Sequence, residues 1–413
     1  MDPYASLRVP NFRRILVSYG MATIAREGQM VVVGWQVYDA TRDPLSLGLV
    51  GLSEALPFIA VALYAGHIAD RMSRRNVAVV GTFALLLSAV ALLVFTLRSD
   101  VLVNGRVWPI YLVIFLSGIA RSFTRPATTA LSADVVEREI YPNAVAWRSS
   151  TWQFSAILGP ALGGLLYGFS GVAAAYATVA VLMGIALIGL MFVRVEEKAP
   201  MRAEMTVGES LRAGLRFLWH QPVVLPAMTL DLFSVLFGGA TALLPIFARM
   251  LHVGPEGLGV LRAAPAAGSV IVGVIIAHRP PIRRAGPMLL ASVAMFGVTI
   301  ILFALSRNFW LSAFLLMLSG VFDNISVVIR GTLVQTLTPT HLLGRVSSVN
   351  QIFIGTSNEI GAFESGVAAK LLGTVPSVIF GGTMTLIVVA LTVWLSPSLR
   401  KMTEIAGPAS SRA

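Results

Sequence analysis

The chain contains no cysteine among its 413 residues, which excludes a disulfide framework and a thiolate-bound metal. Charge is scarce as well: Asp, Glu, Lys and Arg make up 12% of the residues against 56% hydrophobic ones. An ordinary globular domain carries about 25% charge, so the solvent for most of this chain is lipid. His67, His220, His252, His278 and His341 stand far apart, without metal-ligand spacing, so neither a metal nor a cofactor is expected. No G-x-x-x-x-G-K-[ST] loop occurs, so ATP is not expected to drive the protein, and no enzymatic signature is present. A cleavable leader is not expected either, because Arg26-Glu27 interrupts the first apolar run and no small-residue cleavage site follows.

What the chain does have is a succession of long apolar runs. A spanning helix needs about 20 mostly apolar residues. Such runs fall at 12–38, 46–69, 77–97, 109–131, 143–168, 172–193, 223–248, 257–277, 287–306, 310–337, 346–372 and 375–395. They predict an all-α membrane protein with twelve transmembrane helices and leave no room for a separate soluble domain. The net charge of +11 would fit a nucleic-acid partner, so its distribution decides. With the N-terminus inside, the inner segments hold most of the arginines, including Arg71, Arg74, Arg75, Arg283, Arg284 and Arg400. The outer turns hold only Arg42, Arg98, Arg106, Arg249, Arg307 and Lys370. That asymmetry is the positive-inside pattern. It predicts a multi-pass protein of the bacterial inner membrane with both termini cytoplasmic, its surplus charge meeting anionic headgroups rather than nucleic acid.

The charged connection 195–222 includes a stretch, Met205 to His220, with Leu211, Leu215 and Leu218 on one side. It reads as an amphipathic surface helix and divides the chain into a six-helix half 1–195, a linker 196–222 and a second six-helix half 223–413. The halves repeat at an offset of 202. Leu116-Ser117-Gly118 falls on Leu318-Ser319-Gly320; Ser155, Gly159, Gly163 and Gly164 fall on Ser357, Gly361, Ser365 and Gly366; Gly171 falls on Gly373. One register held across two helices and their connection argues for two pseudo-symmetric six-helix bundles with a substrate path between them.

The segment Gly66-His67-Ile68-Ala69-Asp70-Arg71-Met72-Ser73-Arg74-Arg75 joins the second and third runs. It resembles the signature G-x-L-A-D-R-x-G-R-R of the major facilitator superfamily, with Ile68 and Ser73 as mild departures. The resemblance implies a cytoplasmic gate. Asp70 would face the helix beginning near Gly344-Arg345, a placement its dipole favours, and Arg71 or Arg75 would pair with Asp134. The plainer reading, that the arginines only anchor topology, suffices for Arg74 and Arg75 but leaves Asp70 unexplained. Ser155-Ala156-Ile157-Leu158-Gly159-Pro160-Ala161-Leu162-Gly163-Gly164 is similar to the antiporter motif of the same superfamily. Its small residues allow close backbone approach, which the resemblance directs toward Ala263-Ala264 and Ala267-Gly268-Ser269, and which implies export.

Charged residues inside the runs are costly unless they serve a cavity or a partner. Arg121 and Arg125 share one helix face, and the superfamily often links such an arginine to proton coupling. Asp323 is the repeat partner of Arg121, which makes an Arg121–Asp323 relationship attractive. Glu27, Glu54, Asp231, Glu359 and Glu364 are the other candidates. Glu54 and Glu364 could share a proton, while Arg26 is the local partner at hand for Glu27. Gly34-Trp35-Gln36-Val37-Tyr38-Asp39-Ala40-Thr41 and Asn358-Glu359-Ile360-Gly361-Ala362-Phe363-Glu364-Ser365-Gly366 look like the bacterial branch holding the enterobactin exporter and drug-efflux proteins. The expected function is proton-coupled export of a small organic molecule (drug, siderophore or amphiphile) by alternating access, by a monomer whose partners are its substrate, protons and the lipid bilayer. A proton-coupled importer of a nutrient, or a non-transporting scaffold or sensor, is the alternative.

Overall fold

The computed structural model describes residues 2–98, 107–195, 207–278 and 284–403; the side chains of 62–71, 207, 209–211, 341, 356 and 359 fall outside that description. All elements assigned to the described residues are helices. In chain order the long ones are α1 (Pro10–Thr41), α2 (Pro44–Arg71), α3 (Arg74–Leu97), α4 (Trp108–Asp134) and α5 (Tyr141–Met191). A short α6 (Val207–Trp219) precedes α7 (Val224–Gly238) and α8 (Leu244–Met250). Then follow α9 (Pro255–Ala277), α10 (Ala285–Leu305), α11 (Phe309–Leu337), α12 (Thr340–Leu372), α13 (Thr374–Leu395) and α14 (Pro397–Arg400).

Among the described residues, eight helical segments are long and apolar enough to cross a membrane, with the α7–α8 stretch and the whole of α5 each counted once. α5 holds two of the expected spans: Gly171 interrupts it with φ 84° and ψ 167°, a conformation open to glycine because it has no Cβ. α1, α4 and α12 are equally long but carry the intramembrane charges, Arg26 and Glu27, Arg121 and Arg125, Glu359 and Glu364. The expected span 223–248 is not one helix. α7 ends at Gly238, Gly239 leaves the helical region, and a 3-10 turn over Ala240–Leu243 leads into α8. Apolarity marked a span, but the poor helix propensity of paired glycines places the break.

Backbone packing gives two compact units. One is Met1–Arg202 with Leu244–Ala263; the other is Ala203–Leu243 with Ala264–Ala413. The halves 1–195 and 223–413 expected from chain order do not include that exchange of α8 and the start of α9.

In the first unit α1 lies along α5, and α4 packs between α2 and α3. Val32, Val33 and Val37 of α1 meet Leu92 of α3, Ile110 and Ile114 of α4 and Tyr176 of α5 in one buried cluster. The Tyr176 hydroxyl is not left orphaned there: it donates to Gln36 Oε1 at 2.7 Å. In the second unit α10 packs on α11 and α13, and α7 on α12 and α13, around Leu230, Leu289, Val293, Ile329 and Leu333.

The repeat shows inside each unit. A Cβ on Gly118 of α4 would fall 2.8 Å from Pro57 Cγ of α2, and one on Gly320 of α11 would fall 2.6 Å from Pro265 Cα of α9. Ser117 and Ser319 each donate to the carbonyl three residues back, at 2.8 and 2.7 Å.

The linker helix α6 departs from its expected orientation. Leu218 is buried against Val346 and Val349 of α12, and Gly214 lets α6 approach until a Cβ there would lie 2.9 Å from the Arg345 carbonyl. The buried stripe is therefore Gly214–Leu218, one turn apart. Leu215, expected beside Leu218, is rotated out and 48% exposed.

Candidate functional site

Three helices of the first unit bring their charges together. Glu54 of α2 is 4% exposed, and its Oε1 accepts from Arg121 of α4 and, at 3.3 Å, from Arg26 Nη2 of α1. Arg26 Nη1 also donates to Glu27 Oε1 at 2.9 Å. The Arg121 guanidinium carbon stands 5.1 Å from the Phe58 ring centroid, a cation–π contact one turn along α2 from Glu54. Gly118 makes the meeting possible, since a Cβ there would come within 2.7 Å of the Glu54 carbonyl. The close approach of α2 and α4 places Arg121, one turn on, beside Glu54. Arg121, which the repeat had linked with Asp323, thus has an acid inside its own unit. Glu54, which the sequence matched with Glu364 as a proton-sharing pair, is held between two guanidiniums. Two acids and two arginines balance in charge, which offsets part of the cost of burying Glu54 and Arg121.

At one end of the same unit, Arg74 Nη1 donates to both carboxylate oxygens of Asp134, at 2.7 and 2.8 Å. The expectation offered Arg71 or Arg75 for this acid; Arg75 bonds elsewhere, and the Arg71 side chain lies outside the described residues. Arg74 is the first residue of α3 after its Ser73 cap, and the next residue points elsewhere: Arg75 Nη2 donates to the Met191 carbonyl at 2.5 Å. Gly66, Asp70 and Arg71 lie in the part of α2 whose side chains fall outside the described residues.

The small-residue stripe of α5 packs chiefly on α1. A Cβ on Gly163 would sit 2.6 Å from the Gly28 carbonyl, and one on Gly159 2.7 Å from Glu27 Cβ. Ser155, fully buried, donates to the Gly20 carbonyl at 3.4 Å. Gly164 turns toward α9, where its Cβ would lie 2.4 Å from the Pro255 carbonyl, and Pro160 presents its carbonyl to Gly259. The contact with α9 inside this unit is at its first turns, Pro255 and Gly259. Gly268 and Ser269 instead meet α11, Ser269 donating to the Gly320 carbonyl at 3.0 Å. The glycines of this motif, by packing α5 onto α1 beside Glu27, form the wall of the charged cluster.

The family model of the Major Facilitator Superfamily matches residues 15–362, most of the chain. The protein belongs to the Major Facilitator Superfamily. Relatives to which this facilitator is similar include the enterobactin exporter EntS of Citrobacter koseri and that of Escherichia coli O81. Each is 26% identical over 396 residues, covering 96% of this chain and 94% of the relative. Among solved structures, a POT family transporter in complex with a thioalcohol-conjugated peptide superposes with TM-score 0.72 at 11% identity, covering 94% of this chain and 96% of that one. A POT family transporter in complex with 5-aminolevulinic acid gives 0.70 at 11% identity, covering 94% and 97%. These similarities establish the major facilitator fold, a multi-pass membrane protein, and a transporter rather than an enzyme.

Other charged residues of this facilitator fall into place less evenly. Arg125 is exposed on α4, and Asp323 and Glu364 are partly exposed on α11 and α12; the Glu359 side chain lies outside the described residues. The ion pairs that escaped the sequence reading include two more between helices. Asp39 of α1 binds Arg249 of α8, whose guanidinium also lies 5.1 Å from the Trp35 ring and 6.0 Å from that of Tyr38. Asp231 of α7, 7% exposed, binds Arg330 of α11, 3% exposed. Arg330 gave a signal in its position, seven residues before the end of an apolar run; Arg249 gave none, because outer-turn arginines are ordinary.

Proposed function

We propose that this facilitator is a proton-coupled antiporter that exports a small organic molecule across the bacterial inner membrane by alternating access. It works as a monomer with both termini in the cytoplasm. The observation that carries the reading is Glu54, almost wholly buried and bracketed by Arg26 and Arg121. A carboxylate so placed has two self-consistent states. Ionised, it holds both guanidiniums; protonated, it releases them to the path and to the substrate. Exchange between those states, in step with which side is open, couples an inward proton to an outward solute. The exporters of similar sequence and the small-residue motif on α5 support the direction. Arg74 with Asp134, joined by Asp70, would close the cytoplasmic end in the outward-open state, so Asp70→Asn should impair transport while leaving insertion intact.

The test is proton movement in vesicles reconstituted with the purified protein and carrying an imposed pH gradient. Substrates screened as candidates should dissipate the gradient with wild-type protein, while Glu54→Gln abolishes the coupled flux and Glu27→Gln, with one arginine partner, reduces it less. Solute flux that ignores the proton gradient, or that survives unchanged in Glu54→Gln, would refute the proposal.

A further inference from the structure

Arg148 of α5 is a half-buried arginine whose bonds among the described residues are all to neutral groups. Arg26, Arg74, Arg121 and Arg249 each meet a carboxylate. Arg148 Nη1 instead donates to the Thr128 carbonyl at 3.0 Å and to Ser132 Oγ at 2.5 Å, and Nη2 to Thr129 Oγ1 at 3.2 Å. One face of its guanidinium is covered by Tyr19 of α1, whose ring centroid is 4.5 Å away. No carboxylate among the described residues reaches it.

A guanidinium has five N–H donors, and these acceptors use three. The Nε–H and one Nη2–H have no partner among the described residues, and Nε is not among the buried polar atoms left unsatisfied, so solvent reaches it. Nε and Nη2 flank one edge of the fork, the edge that holds a carboxylate by two parallel bonds. Thr129, which Nη2 reaches, and the neighbouring Ser149 and Ser150 are exposed on α4 and α5; polar groups on spanning helices are favoured where they face a water-lined path rather than hydrocarbon. Trp152, one turn along α5, is 47% exposed.

We propose that Arg148, braced by Thr128, Thr129, Ser132 and Tyr19, is an oxyanion-binding site on the transport path, and that the exported molecule is anionic. The neutral braces fix the guanidinium without discharging it, so its full charge remains for a ligand. A carboxylate on the solute completes the fork and brings the pairing energy that the site lacks when empty. The proposal rests on the transport reading above and gives it a substrate class. A cationic drug would find at this point a like charge.

The experiment uses the full-length protein in detergent with benzoate as probe and benzylamine as the cation of matching shape. Benzoate is expected to bind saturably, to raise the thermal unfolding midpoint, and to slow phenylglyoxal modification of Arg148 read by peptide mass spectrometry. Arg74, already gripped by Asp134, serves as the internal reference. Arg148→Gln should weaken benzoate binding about tenfold or more, and Arg148→Lys, which keeps the charge but loses the fork, should fall between. The labelling uses wild-type protein, so a poorly folding Arg148→Gln does not stop the test. Benzylamine protecting as well as benzoate, no protection of Arg148 by benzoate, or equal binding by Arg148→Gln would overturn the proposal and leave Arg148 a strut between α4 and α5. Binding is read at equilibrium without a proton gradient, so a failure of proton coupling leaves this result intact.

Discussion

Gly171 and Gly373, 202 positions apart, turn the backbone the same way, with φ 84°, ψ 167° at the first and φ 92°, ψ 157° at the second. Each ends one spanning helix and starts the next, so the repeat holds in backbone conformation and not only in residue type.

Alanine at Gly171 is therefore expected to lower stability by about 1–3 kcal/mol, the cost of a side chain in a glycine-only region. Beyond its own stretch of chain, no atom of the described residues lies within 4 Å of the position where the Cβ would sit, so the loss would be backbone strain. Thermal unfolding in detergent measures it, and Gly373→Ala should lose a comparable amount.

Arg74 and Asp134 should be coupled. Both are partly exposed, with side-chain accessibilities of 37% and 21%, so the coupling is expected to be modest, roughly 0.2–1 kcal/mol. In a double-mutant cycle, Arg74→Gln with Asp134→Asn should cost less than the sum of the single changes. Arg75→Gln, which removes a bond to the Met191 carbonyl, should add independently to Asp134→Asn.

The Asp231–Arg330 pair should behave as a buried one. Asp231→Asn leaves Arg330 without its counter-charge and is expected to cost about 3–5 kcal/mol. Asp231→Leu combined with Arg330→Met, apolar on both sides, should recover most of the loss in a denaturation series. Equal damage from the single and the double change would show that the charge itself is required.

Close packing of α5 on α1 predicts a contrast along one helix. Gly163→Ala would push a methyl to 2.6 Å from the Gly28 carbonyl and is expected to destabilise by about 1–3 kcal/mol. At Gly184, also within α5, no described residue beyond the local helix backbone lies within 4 Å of an added Cβ, so Gly184→Ala should be neutral or stabilising by about 0.4–1 kcal/mol. Fluorescence-detected size-exclusion after heating separates the two.

Much of the architecture was legible before any coordinates. The apolar runs, the repeat at 202 and the segment around Asp70 are properties of residue type and spacing, and lipid as solvent makes them nearly sufficient. The break after Gly238 was half legible: the paired glycines permit it, but hydropathy averages across them.

The pairings were legible only in part. The sequence marked Glu27 as a neighbour of Arg26 because adjacent residues need no tertiary information. It offered Arg75 as one partner for Asp134 where the structure uses Arg74, since a step of one residue rotates a side chain by about 100° around the helix and the family signature does not fix that angle. It could not assign Glu54 to Arg121, 67 positions apart, because their meeting depends on the depth to which Gly118 lets α4 sink against α2. Sequence alone determined what each segment dissolves in and that the halves repeat, for burial preference is local. Which charges meet was decided by the tertiary structure, because helix rotation and axial register come from backbone contacts that no single helix encodes.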